Sequence, residues 1–327
     1  MIFSEVKMKQ YLQGEVVGLT AFLVAIVIIF SVASPNFFTM TTFSSMAYQL
    51  PALGLLTLAM MIPILSGGLN LAITYTANIS GLALAWTLQS FGGIDAGIEF
   101  FVLGCLFAMF VGALSGFAIG FVVAYTKAHP ILVSLSMMIF LRGIGEFLTH
   151  GKDISGFPQY VQYIGQGAIF GVPIALLIFI VCAFILHVLL SRTRQGFGAY
   201  MLGSNIKATS YSGINTKRNL IIIYTLSGLM CSIAGIIMLS RFNSVRVGHG
   251  EAFLLITVLA CFLGAVDPFG GFGRVLPVVL ALAILQIMTS GLNIIGSNQH
   301  LATALWGVIL IVVMLLRWLW QWRLKKI

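Results

Sequence analysis

Long apolar runs separated by short polar breaks dominate the chain. Ten of them reach or approach the ~20 residues an α-helix needs to cross a bilayer. They fall near residues 15–34, 47–66, 70–90, 98–124, 130–147, 172–190, 219–240, 252–267, 275–294 and 300–318, the eighth being short. The pattern predicts an all-α polytopic membrane protein with about ten transmembrane helices in a single domain, 1–327. Within hydrocarbon a helix satisfies its own backbone polar groups. Composition agrees: with 60% apolar and 8% charged residues and a mean hydropathy of +1.07, there are too few ionic groups to wet a globular surface of 327 residues.

One break stands out. "LSGGLNLAITYTANISG", from Leu65 to Gly81, lies in apolar sequence with no charge nearby. As one helix, residues 47–90 would be about 66 Å long, roughly twice the hydrocarbon thickness, so the chain must reverse near Gly67 and Gly68. Glycine permits such a turn, and Asn70 is placed to cap the helix that follows.

Charge orients the bundle. With the N-terminus inside, Lys7, Lys9, Lys127, Arg192, Arg194, Lys207, Lys217, Arg218, Arg274, Arg317, Arg323, Lys325 and Lys326 fall on the cytoplasmic side, against Arg142, Lys152, Arg241 and Arg246 outside. That bias predicts cytoplasmic N- and C-termini in a bacterial inner membrane. The net charge of +9 is then a topology signal and implies no nucleic-acid partner. Lys7 and Lys9 ahead of an apolar run resemble a leader, but the length of that run predicts a retained first helix. Cys105, Cys182, Cys231 and Cys261 lie in predicted spans without metal-ligand spacing and read as buried thiols. The triplet Asn78-Ile79-Ser80 lies inside a span and reads as a chance glycosylation match.

Two extramembrane pieces are sizeable: 148–171 outside and 191–218 inside. Neither contains a P-loop, so energy must come from a partner or a gradient. In the inner loop Ser204 or Asn205 can cap a helix over 205–212, and Gly213 can stop it. Tyr200, Met201, Leu202, Ile206, Tyr211 and Ile214 give this segment apolar points. Either it packs on the protein's own underside, or it docks a cytoplasmic partner.

Polar residues inside the spans are the remaining candidates. Asn70, Thr74 and Asn78 recur at four-residue steps on the third span; Gln286, Thr289, Ser290 and Asn293 form a second stripe on the ninth. Such stripes are expected to face each other or a wet cavity. They serve either interhelical hydrogen bonding or a pathway for a neutral, hydroxyl-rich solute. Arg142 and Glu146, at i and i+4 in the fifth span, read as a structural pair.

At this level the chain resembles the permease subunits of bacterial ABC importers for ribose, xylose, arabinose, galactose and related compounds. "ILSGGLNLAITYTANISGLALA" is similar to that family's GGIDLSVG segment, and "HPILVSLSMMIFLRGIGEFLTHGKDISGFP" to its RG-containing stretch. "TRQGFGAYMLGSNIKATSYSGINTKR" carries the most specific match, and "GHGEAFLLITVLACFLG" with "GGFGRV" completes the order. Asn70 stands where the family has Asp, Thr74 where it has Gly, Ser115 where it has Asn and Pro277 where it has Gly.

The resemblance implies a type II-like ABC importer membrane domain that translocates a small polar solute, chiefly a monosaccharide. A pathway would run past Gly67, Gly68, Asn70, Thr74, Asn78, Gln286, Ser290 and Asn293. The loop 191–218 would present a coupling helix including Leu202, Gly203, Asn205, Ala208, Ser212, Gly213 and Ile214. Partners would be a second permease, identical or different, two cytoplasmic ATPase subunits that bind ATP and Mg, and a periplasmic or lipid-anchored solute-binding protein. No cofactor or metal is expected in this chain, and no enzymatic activity of its own. The departures from the family pattern would suit a divergent sugar, a nucleoside-like solute or one half of a heterodimer. A secondary transporter is the alternative of another class, disfavoured by the lack of a buried chain of carboxylates or histidines. An intramembrane enzyme is disfavoured because His187 has no acidic partner in its segment.

Overall fold

The structure, a computed structural model, describes residues 2–297 together with 304–309, 311 and 315, with residues 2–15 described by backbone alone. Among residues 2–297, twelve α-helices follow one another: α1 (Ile2–Ala33), α2 (Met40–Leu65), α3 (Ile73–Ser90), α4 (Ile98–Thr126), α5 (Pro130–Thr149), α6 (Gln159–Gln166), α7 (Ile174–Arg192), α8 (Arg194–Ser204), α9 (Ile206–Tyr211), α10 (Thr216–Phe242), α11 (Phe253–Leu263) and α12 (Val275–Ile294). Seven are long and apolar enough to cross a membrane: α1 from Val16, α2, α4, α5, α7, α10 and α12.

Among the described residues, two of the about ten predicted spans do not join this set. The eighth apolar run forms only the eleven residues of α11, ~16 Å long and half a bilayer, because the chain leaves the helix at Gly264 and turns through Ala265 at φ +60°. The third begins at Ile73 rather than residue 70, and the eighteen residues of α3 carry too many polar groups to join the apolar set. Most of the tenth predicted span lies outside the described residues.

At the centre is α2, buried all round from Pro51 to Leu65 and packed by α10, α7, α11 and α12. A helix apolar on every face belongs in such a position. Between lipid-solvated helices there is little hydrophobic drive to associate, so close backbone approach through small residues matters more. Along α4, Gly104, Ala108, Gly112, Gly116 and Gly120 form one buried stripe. A methyl on Gly112 would lie 2.6 Å from the Gly228 carbonyl oxygen, and one on Gly120 2.8 Å from Ile221 Cα, so α4 and α10 meet backbone to backbone. The opposite face of α4 exposes Leu103, Phe107, Phe110, Leu114 and Phe117.

The predicted outer loop 148–171 is a folded cap. Within it α6 packs on α10 and α7, and β1 (Ile154–Ser155) pairs antiparallel with β4 (Ser244–Val245). The Tyr160 hydroxyl donates to the Ala96 and Gly97 carbonyls at 2.8 and 3.0 Å. A second short pairing joins β2 (Ala168–Ile169) to β3 (Val172–Pro173).

Candidate translocation and coupling site

The Gly67–Gly68 reversal is a helix stop. Gly68 N–H donates to the Pro63 carbonyl at 3.0 Å and Gly67 N–H to the Ile64 carbonyl at 2.9 Å, with Gly67 at φ +81°. This double closure satisfies the last carbonyls of α2 and needs a residue that tolerates the left-handed region. Nothing larger than glycine fits at the next position either, since a methyl on Gly68 would meet the Tyr224 hydroxyl.

Asn70 lies in the short linker before α3, not at its N-cap, which is Ala72 without a side-chain cap. Its Oδ1 accepts from Ala72 N–H at 3.1 Å, and its Nδ2 donates to Ser227 Oγ at 2.9 Å; Ser227 in turn donates to the Ala59 carbonyl at 2.7 Å. One amide thus ties the α2–α3 reversal to α10 and α2. Thr74 is buried with its hydroxyl unpartnered among the described residues, as is the buried Tyr224 hydroxyl beside Gly68. Asn78, also buried, donates to the Val247 carbonyl. Thr76 and Ser115 share a hydrogen bond of 3.1 Å between α3 and α4.

The second stripe lies elsewhere. Gln286 donates to Gln49 Oε1 on α2 and to Ser290 Oγ, each at 3.2 Å, while Asn293 is exposed near the end of α12. The stripes of α3 and α12 do not face each other: α3 packs on α4, α10 and α5, whereas α12 packs on α1, α2 and α11. The buried body of α2 stands between them.

The loop 191–218 holds two helices where the sequence pattern indicates one. Thr193 caps α8 by accepting from Gly196 N–H at 3.2 Å, and Asn205 caps α9 by accepting from Ala208 N–H at 3.0 Å. Gly213 takes φ +80° just past α9, as the sequence predicts. Thr209 is buried, whereas Ile206, Ala208, Tyr211 and Ser212 are exposed, Tyr211 at 90%. Leu202 is buried under α8, and Ile214 is half-buried.

Three loops converge on glycine at this end. Gly271 N–H donates to the Leu65 carbonyl at 2.9 Å. A methyl on Gly203 would collide with that same carbonyl and with Gly271 N, and one on Gly270, at φ +91°, would lie 2.6 Å from Gly67 N and 2.8 Å from Gly203 Cα. The Tyr200 hydroxyl donates to the Gly273 carbonyl at 2.7 Å. The α2–α3 reversal, the end of α8 and the α11–α12 loop are therefore in direct backbone contact, one turn from α9. Sequence reading singled out Gly67 and Gly203 but assigned no role to Gly270 and Gly271, although "GGFG" after a short apolar run repeats the glycine-pair signal seen after α2.

Arg142 and Glu146 form the expected ion pair, Nε to Oε1 2.8 Å, but they are not alone. Glu251, from the segment before α11, places Oε1 3.7 Å from Arg142 Nη1 and accepts a hydrogen bond from the Tyr75 hydroxyl of α3. Tyr75, Glu251, Ser227, Tyr224 and Gln49 had no signal in local spacing; only the tertiary fold makes them neighbours of candidate residues. Among the described residues no group of three His, Cys, Asp or Glu side chains is arranged to hold a metal ion.

These features can be set beside known proteins. The profile of the family described as "Branched-chain amino acid transport system / permease component" matches residues 42–314. The autoinducer 2 import system permease protein LsrD of Photorhabdus temperata is 27% identical over 301 residues, covering 90% of this chain and 88% of the relative. LsrD of Yersinia enterocolitica serotype O:8 is 28% identical over 267 residues, 80% of this chain and 78% of the relative. LsrD of Escherichia coli strain K12 is 26% identical over 306 residues, 92% and 91% of the two chains. No solved structure matches. With the profile spanning from α2 to the last described helical residues, the chain belongs to the branched-chain amino acid transport system permease component family and is the membrane permease of an ABC importer.

Proposed function

We propose that this permease imports a small, neutral, hydroxyl-rich solute, a monosaccharide or autoinducer 2, the solute named for its relatives. The stroke comes from separate cytoplasmic ATPase subunits that bind ATP and Mg. In this reading the end carrying α9 and the glycine junction is cytoplasmic, α9 docks the ATPase, and a second permease, identical or different, completes the pathway. A periplasmic or lipid-anchored binding protein delivers the solute from the other side.

The observation that carries the reading is the glycine junction. Exposed Ile206 and Tyr211 on α9 offer apolar points to a partner, and α9 continues α8, whose Gly203 lies directly against Leu65, Gly270 and Gly271. A push on α9 is thereby transmitted by backbone contact to the Gly67 turn and so to Asn70. Small shifts in packed backbone are passed on rather than absorbed, because close-packed interiors have little slack. Of the uncharged candidates, Asn293 is exposed and Asn70, Thr74, Asn78, Gln286 and Ser290 are buried, so those five would meet a solute only once the stroke parts the helices around them.

Uptake by the permease, its ATPase partner and the binding protein in vesicles tests the proposal. Import of labelled D-ribose or autoinducer 2 is expected to survive collapse of the proton and sodium gradients and to stop when ATP is withheld. Import that follows the gradients instead would establish a secondary transporter.

A further inference from the structure

The cluster formed by Tyr75, Arg142, Glu146 and Glu251 joins three elements: α3, α5 and the segment leading into the half-length helix α11. Arg142 stands about 18 Å along α5 from Pro130 and about 10 Å short of its end, inside the thickness of a hydrocarbon core. At that depth the side chains of Arg142, Glu146 and Glu251 remain 55%, 50% and 54% exposed. Three ionised groups at such depth are too costly to leave against lipid, so the face they open onto is aqueous. On the adjoining part of α5 Phe140 and Phe147 are exposed, while exposed Ile139 lies one turn along the same helical face as Arg142 and Glu146.

Hydrogen-bonding capacity in the cluster is mostly unused. Of the five guanidinium N–H groups of Arg142, only Nε–H makes a hydrogen bond among the described residues. Its 3.7 Å separation from Glu251 is too long for one. Glu146 Oε2 and Glu251 Oε2 accept none among the described residues. The result is a half-open array of fixed donors between two sets of free acceptors, with the Tyr75 ring alongside. Adjacent hydroxyl groups on a sugar have the complementary form, each able to donate to a carboxylate and accept from a guanidinium. The array also continues the pathway candidates, since Tyr75 lies between Thr74 and Asn78 on α3, and Asn78 anchors the Val247 carbonyl of the segment that carries Glu251.

We propose that Tyr75, Arg142, Glu146 and Glu251 form a solute-contact station within the passage, which binds a pair of adjacent hydroxyls on a neutral sugar-like solute during transfer. This contact rests on the import reading above and assigns it residues outside the uncharged stripes. The loose Arg142–Glu251 pair also lets α5 and the α11 segment separate as a solute enters, with the hydroxyls replacing the ion-pair contact.

Two measurements on the complete importer in vesicles decide the proposal. First, Glu146→Cys is treated with a charged, membrane-impermeant methanethiosulfonate. Labelling well above the wild-type background is expected, and an unlabelled Cys would place the residue against lipid or within a sealed contact and overturn the station. Second, uptake of D-ribose is compared with that of 2-deoxy-D-ribose, which lacks one of the adjacent hydroxyls. Arg142→Lys and Glu251→Gln are expected to reduce the wild-type preference for D-ribose about tenfold. In both variants the melting temperature in detergent should stay near wild type. An unchanged preference, or a loss of uptake that only tracks a loss of stability, overturns the contact. Tyr75→Phe, which keeps the ring, should give a smaller change in the same direction. A wild-type importer that takes up neither sugar overturns the solute class itself, and is distinguished from failure of the station by the silence of the wild type.

Discussion

Two regions close to the start of α3 are built on opposite principles. Before its start, Gly67, Gly203 and Gly270 bring three loops together with no side chain between them, and the contact depends on the absence of even a methyl group. Further along, Tyr75 joins Arg142, Glu146 and Glu251 in a cluster that is half-open and made of long, rotatable side chains. Backbone contact is stiff and transmits displacement; side-chain ion pairs with spare donors rearrange around whatever enters. The difference separates a part suited to passing on a stroke from a part suited to meeting a solute.

Breaking the junction should have the largest effect. Gly203→Ala drives a methyl into the Leu65 carbonyl and Gly271 N, which costs about 1–3 kcal/mol in a packed site. ATP-driven uptake is expected to fall by more than tenfold while the permease still reaches the membrane folded. Uptake at the wild-type level in that variant would separate α8 from the Gly67 turn. Next, Asn70→Leu removes the links to Ser227 and Ala72 and leaves buried groups unpaired, a loss of about 1–3 kcal/mol readable by thermal unfolding in detergent. Exposed Asn293→Leu should shift stability by no more than about 0.5 kcal/mol. For both, transport is expected to fall further than stability, and equal losses would favour a helix-packing role.

Changes at the exposed end of the same machinery are subtler. Ile206→Ser with Tyr211→Ala should leave the melting temperature unchanged and weaken binding of the ATPase subunit about tenfold, measured on purified permease. Arg142→Met should leave the melting temperature in detergent close to wild type, because half-exposed ion pairs contribute little. A marked drop would show the cluster to be stiff like the junction and remove the contrast between them.

The smallest effect concerns His249, which lies outside the spanning helices two residues from Glu251. Burial and the nearby Arg246 hold its imidazole below the usual histidine value, with Asp153 opposing. The unfolded chain therefore binds that proton more readily, so the stability present near pH 7 declines as pH falls through the ordinary histidine range. His249→Asn should flatten this decline in melting curves between about pH 7 and pH 5.

Local pattern made much of this legible. Apolar runs of bilayer length predict α1, α2, α4, α5, α7, α10 and α12, since a span must hide its own backbone whatever surrounds it. Glycine pairs and capping residues are equally local: Gly67–Gly68 ends α2, and Asn205 with Gly213 brackets α9, because caps answer orphan backbone groups within a few residues. By contrast, the predicted span 252–267 ran on through Ala265 and Val266 to Asp267, whereas α11 stops at Gly264. Its end is set by packing, since a methyl on Gly264 would lie 2.6 Å from Val278 Cα.

Hydropathy, backbone conformation and capping, which act over a few residues, are enough to specify a polytopic helical membrane protein, the sites of its sharpest turns and a helix on its basic loop. Only the tertiary structure decided which of those pieces touch. It put α2 between the two polar stripes, joined Gly270 to Gly67 and Gly203, and brought Arg142 beside Glu251, which also accepts from the Tyr75 hydroxyl. Such contacts depend on the packing of many helices at once, and no short-range pattern in residues 67, 203 and 270 or 75, 142 and 251 encodes their meeting.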